Sequence, residues 1–501
     1  MFLFFLLSGL FLGWSLGAND AANAYGTAVG TRMIRFRTAA IACSAFVIIG
    51  AVVGGAGPSE TLGHLGSVNA GAGAFTVALG AALTVTGMTR LGLPVSTSQA
   101  IVGAIIGWNF FSGSLTNLDS LTEIVSSWIL CPILAAVIAV VLLKLAQGFL
   151  RLVRMHLFRV DAATRYGLIM AGAFASYSLG ANNIANVMGV FVPSAPFGDL
   201  DVFGLFWLSA AQQLFLIGGI AIAFGVFTYS KRVMLTVGSE LFRLSPISAL
   251  IVVLAQGLVL FLFSSNALES WLISRGLPTI PLVPVSSSQA VVGAIIGIGL
   301  AKGVHNLKLG VLGRIASGWV ATPLISGGTA FLLLFFVQNL FAQRVYTPVH
   351  YEISSQVAAK LGTDGVYDPA LSDLVGHEFA SAVEFSDAVQ VRLGSHTGVE
   401  VIVARSRLQP MEIDAERLEA LLAESWLTEP ERAAVARLRG QRFRYAWEFA
   451  DALAALSKDW RSKSPTTGKE FHNEALRRKL QRLEGWFATP AERPAGSAGR
   501  R

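Results

Sequence analysis

Hydrophobic residues in this chain come in long runs broken by short polar joints. Ten apolar stretches, each of roughly the twenty residues a helix needs to cross a bilayer, lie near 2–30, 38–57, 72–89, 94–112, 123–149, 166–192, 203–228, 245–264, 282–300 and 315–341. They predict an all-α polytopic membrane protein. The pattern changes at about residue 344. Beyond it, apolar positions such as Leu418, Leu421 and Leu422 recur among Glu and Arg. They predict helices over 411–425, 429–457 and 469–487, and the alternating stretch GVEVIVARS predicts a strand. With a loop over 464–468 and a frayed tail over 491–501, this part reads as a soluble, mostly helical domain. The N-terminal run MFLFFLLSGL lacks the positive n-region of a secretory signal and leads into polar residues, so it counts as the first spanning helix.

The ten segments are five and five. GANDAANAYGTAVGT over 17–31 returns over 180–193 as GANNIANVMGVFVP, and LGLPVSTSQAIVGAIIG over 91–107 returns over 281–297 as PLVPVSSSQAVVGAIIG. Trp128 and Pro132 answer to Trp319 and Pro323. The offsets are 163, 190 and 191, so the second half carries 27 extra residues, mostly around 229–246 and 266–279. A duplicated half explains this. The expected domains are a first transmembrane repeat over 1–160, a second over 161–343 and the C-terminal domain over 344–501. Five crossings are an odd number, so the second repeat is inverted. A re-entrant hairpin made by segments three and four, tipped by PVSTSQ and PVSSSQ, would preserve that parity.

Charge adds orientation. The chain of 501 residues is 53% hydrophobic and 14% charged, and its net +7 belongs to residues 1–343, with 16 Lys+Arg against 9 Asp+Glu, while 344–501 holds 22 of each. Cations gather in alternate joints: Arg32, Arg35 and Arg37; Arg90; Lys144, Arg151, Arg154, Arg159 and Arg165; Lys231, Arg232 and Arg243; Lys302 and Lys308. The other joints hold Glu60, Asp119, Glu123, Asp199, Asp201, Glu269 and a single Arg275. By the positive-inside rule the first set is cytoplasmic. That places the N-terminus, and by parity the C-terminal domain, outside a plasma or inner membrane. Nucleic acid is discounted as a partner. Cys43 and Cys131 lie in apolar runs and read as small buried hydrophobes rather than a disulfide. None of the seven histidines lies within four residues of another, which excludes a metal pair on one helix face. No GxSxG or P-loop pattern interrupts the repeats, and His377 with Glu378, and Glu384 with Asp387, read as solvated surface. An enzyme is therefore not expected.

The chemistry lies in the duplicated polar motifs. Asn19, Asp20 and Asn23, with Asn182, Asn183 and Asn186, offer hard oxygen ligands suited to Na⁺, together with carbonyls freed where glycine lets a helix unwind. Asp20 is the one carboxylate well inside an apolar segment. Small polar residues also pack helices through interhelical hydrogen bonds, but two matched copies in a duplicated half favour a site. In the second motif Ser96, Thr97, Ser98 and Gln99, with Ser286, Ser287, Ser288 and Gln289, cap helix starts whose N–H groups and dipoles suit a tetrahedral oxyanion. Neither motif contains Lys or Arg at midplane. The anion must then be neutralised by helix dipoles and a co-bound cation, which favours symport.

These motifs, with YSKRVMLTVGSELFRLSP in the added joint, resemble the inorganic phosphate transporter (PiT) family over about residues 1–342. The resemblance implies an inverted-repeat transporter, dimeric, moving phosphate with Na⁺ or H⁺ and needing no cofactor beyond that cation. Asn19, Asp20, Asn23, Asn182, Asn183 and Asn186 resemble its cation-side ligands, and the runs 96–98 and 286–288 its phosphate-side tips. There are departures from the family pattern at three places. Asn183 stands where aspartate is common, Ala45, Phe46 and Val47 where many members carry a glutamate, and Gln99 and Gln289 where some have histidine. A sulfate-transporting branch shares the scaffold, so sulfate is the alternative anion. Phosphate at neutral pH keeps a proton to donate to Asp20 or a Gln carbonyl and sulfate does not, which favours phosphate. A reading from another class is an anion-binding membrane sensor with the C-terminal domain as output.

Overall fold

Side-chain caps set where several of these helices begin. The computed structural model describes all residues except 67, 92–94, 154–155, 199, 203–205, 232–233, 235–244, 304–308, 395–397, 423–426, 464–469 and 489–501. Several expectations lie outside the described residues: most of the 229–246 joint, Pro94 of the first tip, Arg154, Asp199, Arg232, Arg243 and Lys308 among the orienting charges, His305 and His396, the 464–468 loop and the tail.

In chain order the apolar part forms α1 (Phe2–Gly30), α2 (Phe36–Gly54), α3 (Ala56–Leu65), α4 (Gly71–Arg90), α5 (Thr97–Ser112), α6 (Leu118–Val153) and α7 (Leu157–Met188). It continues with α8 (Ala210–Thr228), α9 (Pro246–Leu262), α10 (Asn266–Ser274), α11 (Ser287–Ala301) and α12 (Leu309–Asn339). Ser96 and Ser286 cap α5 and α11, Ser209 opens α8 with a capping box to Gln212, and Ser245 precedes Pro246 at the start of α9. Four pieces were not expected: α3, α10, a 3₁₀ turn over Gly189–Ser194 and a small hairpin of Leu200–Val202 with Phe206–Leu208. Among the described residues six helices are long and apolar enough to cross a membrane, or seven if α9 and α10, bent by 64°, count as one span. With 16 and 15 residues, α5 and α11 are about 24 and 22 Å long, short of the roughly 30 Å of hydrocarbon.

The chain divides into two compact units, Met1–Glu269 with Thr279–Thr347, and Ser270–Pro278 with Pro348–Arg501. In the first, the closest-packed helices pair across the two halves: α1 with α8, α2 with α7, α5 with α12 and α6 with α11. Glycines make this possible, and their contacts come in matched sets. A Cβ on Gly17 would strike the Ile222 carbonyl, and one on Gly180 the Val47 carbonyl; Gly50 meets the carbonyl of Tyr177, and Gly225 that of Trp14. Small residues at such crossings let backbones approach where lipid leaves no hydrophobic drive between helices.

The second unit corrects the sequence reading in three places. GVEVIVARS is helix, not strand: Val399, Ile402, Val403 and Ser406 are the buried positions, and that spacing is helical. The expected helix over 411–425 begins as a strand at Met411–Glu412, with helix only over Ala415–Leu422. The expected helix over 429–457 is two, Glu429–Ala436 and Ala446–Leu456, parted by Gly440 and the strand Arg442–Phe443.

This unit is also a tandem duplication, which the sequence reading missed. Tyr351–Glu352 pairs with Glu378–Phe379 and Met411–Glu412 with Arg442–Phe443, both antiparallel, with Tyr351 opposite Phe379 and Met411 opposite Phe443. Gly376 and Gly440, at φ 81° and 78°, donate to the Ile353 and Ile413 carbonyls at 2.9 and 2.8 Å. Each second strand is followed by a helix, opening on AVEFSDA in one and AWEFADA in the other. Phe385 and Phe449 are fully buried in two separate cores.

Candidate functional site

Both GAN-bearing helices run unbroken through their asparagines, α1 to Gly30 and α7 to Met188, where the 3₁₀ turn takes over. The expected unwinding, with freed carbonyls as ligands, does not occur. Gly17 and Gly180 serve close packing on Ile222 and Val47 instead, so ligands at this level are side chains and helix ends.

Those side chains reach across the halves. On α1, Asn23 donates through Nδ2 to the Ser287 hydroxyl at 3.0 Å and to Ser288 at 3.4 Å. On α7, Asn186 donates to the Ser98 hydroxyl at 2.9 Å and to Asn183 Oδ1 at 3.0 Å. Each motif helix is thus bonded to the tip of the opposite half. Ser98 in turn donates to the Val285 carbonyl at 3.0 Å, which ties the two tips together. The Ser287 hydroxyl bonds to the Asp20 side chain, and Asp20 is only 6% exposed. A carboxylate so placed requires a proton or a cation beside it.

At the helix starts, Ser96 accepts from the Gln99 N–H at 3.3 Å and Ser286 from the Gln289 N–H at 3.4 Å. Thr97 is buried between them in chain order, and Ser288 is half-buried. Four buried polar atoms here have no hydrogen-bond partner: Gln99 Oε1, Gln289 Oε1, Asn183 Nδ2 and Asn186 Oδ1. An unmade buried hydrogen bond costs about 1–3 kcal/mol, and these four unpartnered atoms lie on the two tips and on α7.

The outer asparagines differ. Asn182 is fully buried and clamps the stretch leading into α11, donating to the Val283 carbonyl at 2.9 Å and accepting from the Val285 N–H at 2.8 Å. Asn19 is half-buried, donates to the Thr89 hydroxyl at 3.0 Å, and lines a cavity of about 60 Å³ with Trp14, Ser15, Thr86, Arg90 and Tyr229. That space holds about two waters. Sequence reasoning missed Thr89, and it missed Cys131, whose thiol points at the Ser286 carbonyl at 3.7 Å. No motif announces either residue.

The sequence profile described as the phosphate transporter family matches residues 16–269 and 271–441. A candidate phosphate permease of Methanocaldococcus jannaschii is 31% identical over 334 residues, covering 67% of this chain and 95% of that protein. The sulfate permease of Bacillus subtilis is 30% identical over 361 residues, covering 71% of this chain and 92% of its own. Among solved structures, one described as the sodium-dependent phosphate transporter superposes with a TM-score of 0.55 at 24% identity, over 67% of this chain and 98% of that one, a likeness of fold.

Proposed function

This chain belongs to the phosphate transporter family, and from that premise we propose that it carries inorganic phosphate in symport with Na⁺ or H⁺ by alternating access. The family consists of permeases, not enzymes, and the chain is a multi-pass membrane protein. The observation that carries the proposal is the crosswise bonding of Asn23 to Ser287 and Asn186 to Ser98 around the buried Asp20. In this reading Asn19, Asp20, Asn23, Asn182, Asn183 and Asn186 form the cation side. Ser96, Thr97, Ser98 and Gln99, with Ser286, Ser287, Ser288 and Gln289, form the anion side. Asp20 draws in the cation, and the cation offsets the charge that would otherwise repel an anion from a carboxylate. Because Asn23 and Asp20 share Ser287, filling one side shifts a hydroxyl of the other, which links the two loads. The sodium dependence of the solved neighbour favours Na⁺ as the coupling ion.

The topology belongs to the same proposal: two inverted repeats over 1–160 and 161–343, an outside N-terminus, an outside C-terminal domain and a homodimer. The matched glycine contacts across the halves support the repeats, and the clustering of cations in alternate joints supports the orientation. Sulfate is the second reading, favoured by the likeness to the Bacillus subtilis sulfate permease. Uptake of radiolabelled phosphate into proteoliposomes, under imposed Na⁺ or H⁺ gradients and with sulfate as competitor, separates the two. Gradient-driven accumulation inhibited more by phosphate than by sulfate is expected. Stronger inhibition by sulfate would move the assignment to the second reading, and binding without accumulation would sink both.

A further inference from the structure

Two tryptophans stand beside the helix starts without a partner for their N–H groups. Trp128 of α6 and Trp319 of α12 occupy the same point of the duplicated pattern, each four residues before a proline. Their Nε1 atoms are buried and make no hydrogen bond. Backbone contacts show what they stand beside. Gly293 and Gly297 of α11 rest on the carbonyls of Pro132 and Ala136, and Gly103 and Gly107 of α5 rest on those of Pro323 and Gly327. Both pairs advance by one turn in the same sense, so α6 runs parallel to α11 and α12 runs parallel to α5. One turn back, Trp128 comes level with Gln289, and Trp319 with Gln99.

Helical side chains lean toward the N-terminus of their own helix. In parallel helices, each indole and its glutamine therefore lean toward the same helix start. Gln99 and Gln289 are each only 1% exposed, and their Oε1 atoms are unpartnered too. Each start thus carries an unused donor and an unused acceptor that do not satisfy one another. Two donor–acceptor pairs, matched across the duplication, fit a solute that presents two acceptor oxygens and two O–H groups.

We propose that Trp128 and Trp319 are anion-binding residues whose indole N–H groups donate to a doubly protonated tetrahedral oxyanion, while Gln99 and Gln289 each accept from one of its two O–H groups through Oε1. The inference rests on the symport reading above and deepens it. The chemical class is an oxyanion with two O–H groups, such as dihydrogen phosphate or dihydrogen arsenate. Sulfate has no proton to offer and leaves the glutamine oxygens unpaired, so the site rejects it by the penalty for a buried acceptor without a donor. Hydrogen bonds to a charged acceptor are the stronger kind, which suits neutral indoles in a motif free of Lys and Arg.

The test begins with the unaltered protein in proteoliposomes. If it moves no phosphate and no sulfate, the symport reading itself has failed. If it moves sulfate in preference to phosphate, the reading of a transporter stands and this inference falls. With phosphate uptake established, Trp128→Phe and Trp319→Phe should each raise the KM for phosphate about tenfold with kcat held within about threefold. An unchanged KM in both variants overturns the role of the indoles. Joining Gln99→Met to Gln289→Met should lower the preference for phosphate over sulfate at least about tenfold, and an unchanged preference overturns the role of the acceptors. Should the Phe variants fail to accumulate in the membrane, the detergent-solubilised wild type carries the test. Inorganic phosphate should shift its tryptophan emission with the same half-saturation as uptake, and no shift overturns the proposal.

Discussion

Asn19 and Asn182 hold the same place in the two halves, yet one faces a cavity and the other fastens a backbone. Asn182 has both ends of its amide bonded to the stretch before α11. Asn19 touches only a threonine hydroxyl of α4 and stays half-open. Their neighbours differ too: Asp20 has an ionisable carboxyl where Asn183 has a neutral amide. At this pair of positions similar sequence is thus half-open with an ionisable neighbour in one half and shut with a neutral neighbour in the other. Under the proposed symport, that asymmetry assigns the cation to the first half.

The comparison breaks first at Asp20. Asp20→Asn makes the first half neutral like the second, and coupled uptake should fall about a hundredfold, the loss of one charge-assisted contact of about 3 kcal/mol, with protein abundance unchanged. Uptake that keeps its cation dependence would remove Asp20 from the site. Next comes the clamp. Asn182→Ala leaves the Val285 N–H and Val283 carbonyl buried and unpaired, each costing about 1–3 kcal/mol, so a clear drop in melting temperature in detergent is expected. Asn19→Ala should shift it far less, since Asn19 is partly solvated. Equal losses would mean that the halves are energetically alike. The smallest expected effect is the gain from Asn183→Asp, which restores a carboxylate to the second half. Uptake should become steeper in cation concentration, with the apparent cation affinity changing about threefold. An unaltered cation curve would place Asn183 away from the ion path.

Most of the membrane unit was legible because lipid imposes one solution on apolar runs, and because the two PVS motifs repeat almost letter for letter and the two GAN motifs keep their glycines and asparagines in register. What Gly17 does was not legible. A glycine before polar residues fits either an unwound helix or a close crossing, and the deciding contact, Ile222, lies some two hundred residues away. The crosswise partners of Asn23 and Asn186 were hidden for the same reason. GVEVIVARS misled because β-branched residues alternate there locally, while its buried set at 399, 402, 403 and 406 follows a helix. The tail duplication did leave a signal, in AVEFSDA against AWEFADA. It was missed because the spacing slips from 60 residues at the first strands, Tyr351 to Met411, to 64 at Gly376 and Gly440.

In that duplicated tail Tyr445 is out of place, and Trp447 beside it packs against the same core. Tyr445 belongs by sequence to the second module, but it is fully buried in the core of the first, where its hydroxyl reaches the Glu352 carbonyl at 3.4 Å. Neither module can lose its fold without pulling this ring from, or taking this ring's pocket away from, the other. The pair should therefore melt as one cooperative block rather than as beads on a string. Replacing Tyr445 with alanine should split its calorimetric transition in two.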